Sequence, residues 1–322
     1  MNYRTLGKTG IQVSNICFGA MSFGGIADEA TSLAMFNRCR EVGINFFDCA
    51  DVYAGGRSEE ILGKCIADCR DEVVITSKFC LPMGNGINSK GMSRRHMMLS
   101  VEKSLKRLNT DRLDVYFVHH FDATTDMEET LRGLDDLQKQ GKILYPAVSN
   151  WAAWQIAKAL GISNHRALAR FECIQPMYNL VKRQAEVEIL PLAASEQIGV
   201  ISYSPLAAGL LSGKYNQGVK PQEGRFIDHK GTQDRYADQM NYEVADRFIK
   251  FAGEFGAHPA SLAIAWVMGN PAVTAPIIGA RNMEQLQPLL GALDIEMTSD
   301  LRKQISAMSV TPPPATDRAE EV

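Results

Sequence analysis

The feature that most constrains this chain is an alternation. Short runs rich in Val, Ile, Phe and Tyr are separated by longer amphipathic stretches, and the pair recurs eight times. The strand-like runs are NICFGA from 15, NFFDCA from 45, VVITSKF from 73, LDVYFVHH from 113, ILYPAVSN from 143, FECIQPMYN from 171, GVISYSP from 199 and VTAPIIGA from 273. They are short and nearly continuously apolar, as strands buried on both faces of a parallel sheet must be. Between them lie helical patterns such as SRRHMMLSVEKSLKRL, where Met98, Val101, Leu105 and Leu108 form a stripe behind Ser93, a good N-cap residue. Eight strand-helix pairs predict an α/β fold closed as a (β/α)₈ TIM barrel rather than an open doubly wound sheet. No GxGxxG fingerprint follows any of the strands, which disfavours the dinucleotide-binding open sheet.

Length does not oppose this reading, because α/β barrels exceed 250 residues as one unit and the chain has 322. We therefore expect one domain over 1–322. Within it, residues 1–14 read as a hairpin around a GKTG turn that plugs the amino-terminal end of the barrel. Residues 206–242, rich in Gly, Asp, Gln and Lys, read as a long functional loop, and 311–322 as a fraying tail. A hydrophobic content of 45% and a net charge of −3 suit a globular protein with no basic stripe for nucleic acid. No apolar run is long enough for a signal peptide or a membrane span, so a cytoplasmic location is expected. The seven cysteines follow no metal spacing and read as reduced structural thiols.

In such a barrel, chemistry sits where the strands end in their carboxyl direction. The second strand ends with Asp48 and leads to Tyr53, the third ends with Lys78, and the fourth with His119 and His120. The fifth ends with Ser149 and Asn150, the sixth with Gln175 and Asn179, and the seventh with Tyr203 and Ser204. A lysine inside an apolar strand is costly to bury without a counter-charge, and Asp48 on the neighbouring strand is the obvious one. At about 4 Å and an effective dielectric near 20, a cation favours a phenolate by roughly 4 kcal/mol before desolvation, so Lys78 is expected to lower the Tyr53 pKa. A neutral His119 could hold a carbonyl oxygen against that phenol. Each residue alone is compatible with packing or with a loop cap; four of them at the ends of three consecutive strands are harder to explain that way. Ser58, followed by Glu59 and Glu60, reads as the N-cap of the next helix.

Taken in order, DCADVYAGGRSEEILGK, VVITSKF, SLKRLNTDRLDVYFVHHFD, AVSNW, QPMYNL, YSPLAAGLLSGKY and PIIGARNMEQL resemble the aldo-keto reductases from Arg4 to about Ala292. The resemblance implies a (β/α)₈ enzyme that reduces small-molecule carbonyls with NADPH, returning NADP+. It also implies that Asp48, Tyr53, Lys78 and His119 are the catalytic four, with Tyr53 as general acid. Ser149, Asn150 and Gln175 match positions that bind the nicotinamide carboxamide, and Tyr203 matches the ring on which nicotinamide stacks. Ser204 to Lys214, with Leu206 and Gly209 among them, matches the pyrophosphate cover. Gly279, Arg281 and Gln285 match the adenosine side, Arg281 pairing with the 2'-phosphate. No metal is implied.

The sequence departs from the pattern at Pro288 and Leu289, where the family often has Glu and Asn, and at Pro146 and Ala147, where a glycine commonly precedes Val-Ser-Asn. Two other readings exist. One is a cofactor-binding regulatory subunit resembling the potassium-channel beta subunits, which commonly lack a histidine at the place of His119. The other makes Lys78 a Schiff-base lysine. Trp151, Trp154, Met21, Phe23 and His120 are candidates for an apolar mouth or for packing.

Overall fold

The computed structural model describes residues 1–215 and 230–316, so residues 216–229 of the expected long loop and 317–322 of the expected tail lie outside the description. Strands β1 (Tyr3–Thr5) and β2 (Gln12–Ser14) pair antiparallel as the expected hairpin. Eight parallel strands follow: β3 (Cys17–Gly19), β4 (Phe46–Asp48), β5 (Val74–Phe79), β6 (Leu113–Val118), β7 (Ile143–Ser149), β8 (Cys173–Gln175), β9 (Gly199–Ser202) and β10 (Ala275–Ile278). Each pairs with the next in chain order and β10 returns to β3, so the sheet closes into a barrel. All eight expected strands form. His119 and Tyr203 lie one residue beyond β6 and β9, at the mouth.

Strand periodicity decides which side chains enter the lumen. Cys17, Phe46, Val74, Val115, Phe117, Ala147, Cys173, Ile201 and Ala275 form an inner apolar cluster, while Phe47, Ile75, Tyr116, Val148, Ile174 and Val200 belong to the outer one under the helices. Asp48 lies two residues after Phe46, and Thr76 and Lys78 lie two and four after Val74, so all three share the inward face. The inner cluster is closed from below by Leu6 and Val13 of the hairpin. A Cβ on Gly199 would come within 2.4 Å of Leu6 Cδ1, so the plug is seated against bare backbone. Polar side chains are thereby gathered at the carboxyl end of the lumen.

Local expectations hold with corrections. Ser93 caps the helix Arg94–Leu108 by accepting from the His96 N–H, but the buried stripe is Met97, Val101, Leu105 and Leu108, with Met98 only half-buried. Pro146 costs β7 one ladder donor, yet the strand keeps seven residues, and the Pro146 carbonyl accepts from Glu172 N at 3.0 Å. The segment expected to be loop up to 242 is helical again over Lys230–Arg235, and the next helix, Gln239–Phe255, starts from an Asp238 cap. The cysteines are all free thiols. Among the described residues, no helix is long and apolar enough to cross a membrane.

Candidate active site

Lys78 is completely buried at the upper end of the lumen, and its ammonium spends its three protons on three acceptors. Nζ lies 2.6 Å from each Asp48 carboxylate oxygen and 2.7 Å from the Cys49 carbonyl. Asp48 Oδ1 also accepts from Thr76 Oγ1 at 2.7 Å and from Gln175 Nε2 at 2.9 Å. Burial alone would lower the lysine pKa, but the Asp48 charge and the neighbouring groups outweigh it and hold the amine well above its ordinary value. Lys78 is a fixed cation across the physiological range.

Tyr53 opens a short turn, Tyr53–Gly56, after β4, in which Ala54 and Gly55 take left-handed backbone. Its ring lies edge-on to His119 with centroids 6.2 Å apart, and Lys78 Nζ is 5.3 Å from the phenol ring centroid. The expected direction of its pKa is corrected here. Burial pushes the phenol up to about 12, and Lys78 opposes this without reversing it. Desolvation of the buried phenolate outweighs the attraction of the Lys78 cation, and the charge of Asp48 adds to the rise. At neutral pH Tyr53 is therefore a protonated donor.

His119 is held neutral, its pKa driven down to about 2 by burial first and then by the charges of Lys78 and His120. Its main-chain N–H donates to Phe79 O at 2.9 Å, which anchors the residue to the end of β5. Among the described residues, its buried Nδ1 has no hydrogen-bond partner. A protonated phenol, a neutral imidazole and a fixed cation thus converge at one mouth, which is the set needed to polarise and protonate a carbonyl oxygen.

The positions matched to nicotinamide binding join the same network. Ser149 Oγ donates to Gln175 O at 3.0 Å, and Asn150, held at φ +59°, donates from Nδ2 to His119 O and to Ser149 Oγ, each at 3.0 Å. The Tyr203 hydroxyl donates to Asn150 Oδ1 at 2.7 Å. Ser204, Ala207, Ala208 and Gly209 all have positive φ, an interrupted run of left-handed backbone following Tyr203, with Pro205 and Leu206 (φ −94°) between. Its amides are largely engaged within the segment: Ala207 N donates to Ser204 O and Gly209 N to Leu206 O, each at 2.9 Å, and Ala208 N donates to Ser204 Oγ at 3.3 Å. Asn179 braces this run by donating to Ser204 O at 2.9 Å and to the Tyr236 hydroxyl at 3.2 Å.

Lys214 and Arg281 form no hydrogen bond with the network at His119, and neither has an ion-pair partner among the described residues. Arg281 N donates to Gln285 Oε1 at 3.2 Å, in the turn after Gly279. Leu289, where a polar residue is common in the resembling family, is buried in the outer core. An amide and hydroxyl cluster, an aromatic ring and two cations with no ion-pair partner among the described residues suit a nicotinamide dinucleotide.

Of the candidates for an apolar mouth, Phe23 and Trp151 are buried packing, whereas Met21, His120 and Trp154 are exposed. Ser58 is not a helix cap. Gly56 takes that place, and the buried Ser58 hydroxyl donates to Ala20 O at 2.7 Å. Unanticipated from sequence are two buried acids near Tyr53 in the chain. Asp51 Oδ1 has no hydrogen-bond partner among the described residues, and Glu59 is ion-paired with Arg107.

The Aldo/keto reductase family model matches residues 15–309, and the chain belongs to that family. It is 38% identical over 307 residues to a probable voltage-gated potassium channel subunit beta of Arabidopsis thaliana, covering 92% of each chain. It is 37% identical to a protein of the same name from Oryza sativa subsp. japonica, over 98% of this chain and 99% of the relative. It is also 34% identical to the uncharacterized oxidoreductase YrpG of Bacillus subtilis, over 95% of each. The fold and the family define a nicotinamide-dependent oxidoreductase.

Proposed function

We propose that this chain reduces an aldehyde or ketone to the alcohol with NADPH, Tyr53 donating the proton. The observation that carries this reading is the protonated Tyr53 phenol set between the fixed Lys78 cation and the neutral His119 ring. When bound, the nicotinamide supplies the hydride. Ser149, Asn150 and Gln175 would hold its carboxamide and Tyr203 its ring. The segment Ser204 to Lys214, including Leu206 and Gly209, would hold the pyrophosphate, and Gly279, Arg281 and Gln285 the phosphorylated adenosine. A guanidinium suits a 2'-phosphate, which favours NADPH over NADH.

His119 orients the carbonyl oxygen, donating from the ring nitrogen that bears its proton. As that oxygen gains negative charge, Tyr53 transfers its proton, and the phenolate left behind is stabilised by the Lys78 ammonium. Burial makes a phenolate costly here, so Lys78 must be in place before transfer, and Asp48 with Gln175 and Thr76 keeps it there. In alcohol oxidation Tyr53 acts as the base. A Schiff-base role for Lys78 is disfavoured, because a free amine is required and all three of its protons are engaged. Substrate is a small-molecule carbonyl compound, and the working location is the cytoplasm.

A second reading is favoured by the names of the plant relatives: the chain serves as a subunit of a voltage-gated potassium channel. A panel of aldehydes, ketones and quinones incubated with the purified protein and NADPH separates the two. Turnover of at least one class supports the reductase. Tight NADPH binding with no turnover across the panel, together with a stable complex with such a channel, supports the subunit.

A further inference from the structure

Tyr53 sits on an unusual support. The three residues that follow it, Ala54, Gly55 and Gly56, all have positive φ (48°, 64° and 98°). Two are glycines, for which this is free, but Ala54 pays a steric cost, and a turn of this kind persists only where its surroundings impose it. The surroundings are specific. A Cβ built on Gly56 would lie 2.8 Å from Arg107 Cδ and 3.0 Å from its Nε, so the arginine side chain fills the space against the turn.

Arg107 comes from the last turn of the helix Arg94–Leu108 and is itself fixed. Its Nε and Nη2 each lie 2.6 Å from Glu59 Oε2, and Nη2 reaches Ser104 Oγ at 3.4 Å. Glu59 is fully buried, and its other oxygen accepts from Ser77 Oγ at 2.5 Å. Ser77 stands between Thr76 and Lys78 on β5. The inward face of that strand therefore grips Asp48 and the cation beside Tyr53, while its outward face, through Glu59 and Arg107, supports the turn behind Tyr53. Both grips on the phenol originate in three consecutive residues.

A buried ion pair is a poor way to add stability, since apolar residues of similar volume usually do as well or better. Its value is directional: a fork with fixed hydrogen bonds defines a position that methylenes would not. We propose that Glu59 and Arg107 are positioning residues for the proton donor, acting through the left-handed turn Ala54–Gly56 to hold the Tyr53 phenol in register with Lys78 and His119. This rests on the reading of Tyr53 as the acid.

The test is a double-mutant cycle in which the pair is removed together, Glu59→Met with Arg107→Met, so that no charge is left buried alone. The change is made in the wild type and in Tyr53→Phe. Thermal unfolding and NADPH affinity serve as controls for the fold and the cofactor site. The expected result is a kcat roughly 10-fold to 10²-fold lower in the wild-type background, the scale of a small misplacement of a reacting group, with KM for NADPH changed less than about twofold. In the Tyr53→Phe background the same pair replacement has little further effect, because there is no proton donor to misplace. An equal loss in both backgrounds, or none in the wild type, overturns the proposal. Should the double replacement fail to fold, Gly56→Ala, which forces a methyl against Arg107, is put through the same cycle and read the same way. Full turnover by Tyr53→Phe alone refutes the reading of Tyr53 as the acid, and this proposal with it; normal loss in Tyr53→Phe with an additive loss from the pair refutes only the positioning role.

Discussion

Replacing Asp51 by asparagine alters the pH dependence of stability in a direction that the structure fixes. Asp51 is 1% exposed and its Oδ1 has no hydrogen-bond partner among the described residues. Burial first, then the charge of Glu59, raise its pKa to about 7, against the lowering effect of Arg107 and Lys78. An unfolded aspartate ionises near 3.9, so between about pH 4 and pH 7 the folded state keeps a proton that the unfolded state has released. Folded protein binds more protons in this window, so stability falls as pH rises through it and the loss is complete above pH 7. At about 1.4 kcal/mol per pH unit, the share of this loss falling between pH 5 and pH 8 is roughly 3 kcal/mol. Asp51→Asn keeps the shape and removes the proton. Urea unfolding at pH 5 and pH 8 is the assay, and the wild type should lose about that much more stability than the variant between the two. Parallel pH dependence in the two proteins would refute the claim that a buried carboxyl beside Tyr53 titrates near neutrality.

Lys78→Met leaves the Asp48 carboxylate buried and unpaired, so a loss of about 3–5 kcal/mol in the free energy of urea unfolding is expected together with loss of turnover. A variant as stable as the wild type would mean that Asp48 is reached by solvent or protonated. Arg281→Ala should weaken NADPH binding while leaving NADH binding nearly unchanged, because only NADPH offers the 2'-phosphate for a charge-assisted bond. Equal dissociation constants for the two cofactors in the wild type, measured by fluorescence titration, would remove Arg281 from that role.

The barrel was legible because a parallel strand buried on both faces leaves a continuous apolar run, and eight such runs close in only one common way. Asp48, Lys78 and His119 were legible for the opposite reason: polar residues at the ends of apolar runs stand out. Their electrostatics were only half readable. That Lys78 pairs with Asp48 follows from adjacent strands, but whether the Tyr53 pKa falls or rises depends first on how deeply the phenol is buried, which the sequence does not display, and then on the balance of the Lys78 and Asp48 charges. Glu59 was invisible as a buried group, since an acid in the first turn of a helix reads as a solvated partner of the helix dipole. Its burial depends on Arg107, 48 residues away, and on Ser77 facing outward from β5. Ser58 misled for a related reason: N-cap chemistry is a strong local signal, but Gly56 with its left-handed φ ended the preceding turn first and left the hydroxyl free to bond Ala20.

The central claim is that Tyr53 gives its proton to a substrate carbonyl held by His119, and single-turnover oxidation of prebound NADPH by Tyr53→Phe tests it most directly. The phenylalanine variant should bind NADPH as tightly as the wild type and consume it at least roughly 10²-fold more slowly, the loss expected for a positioned general acid. Wild-type rates in that variant, measured where chemistry limits turnover, would contradict the account.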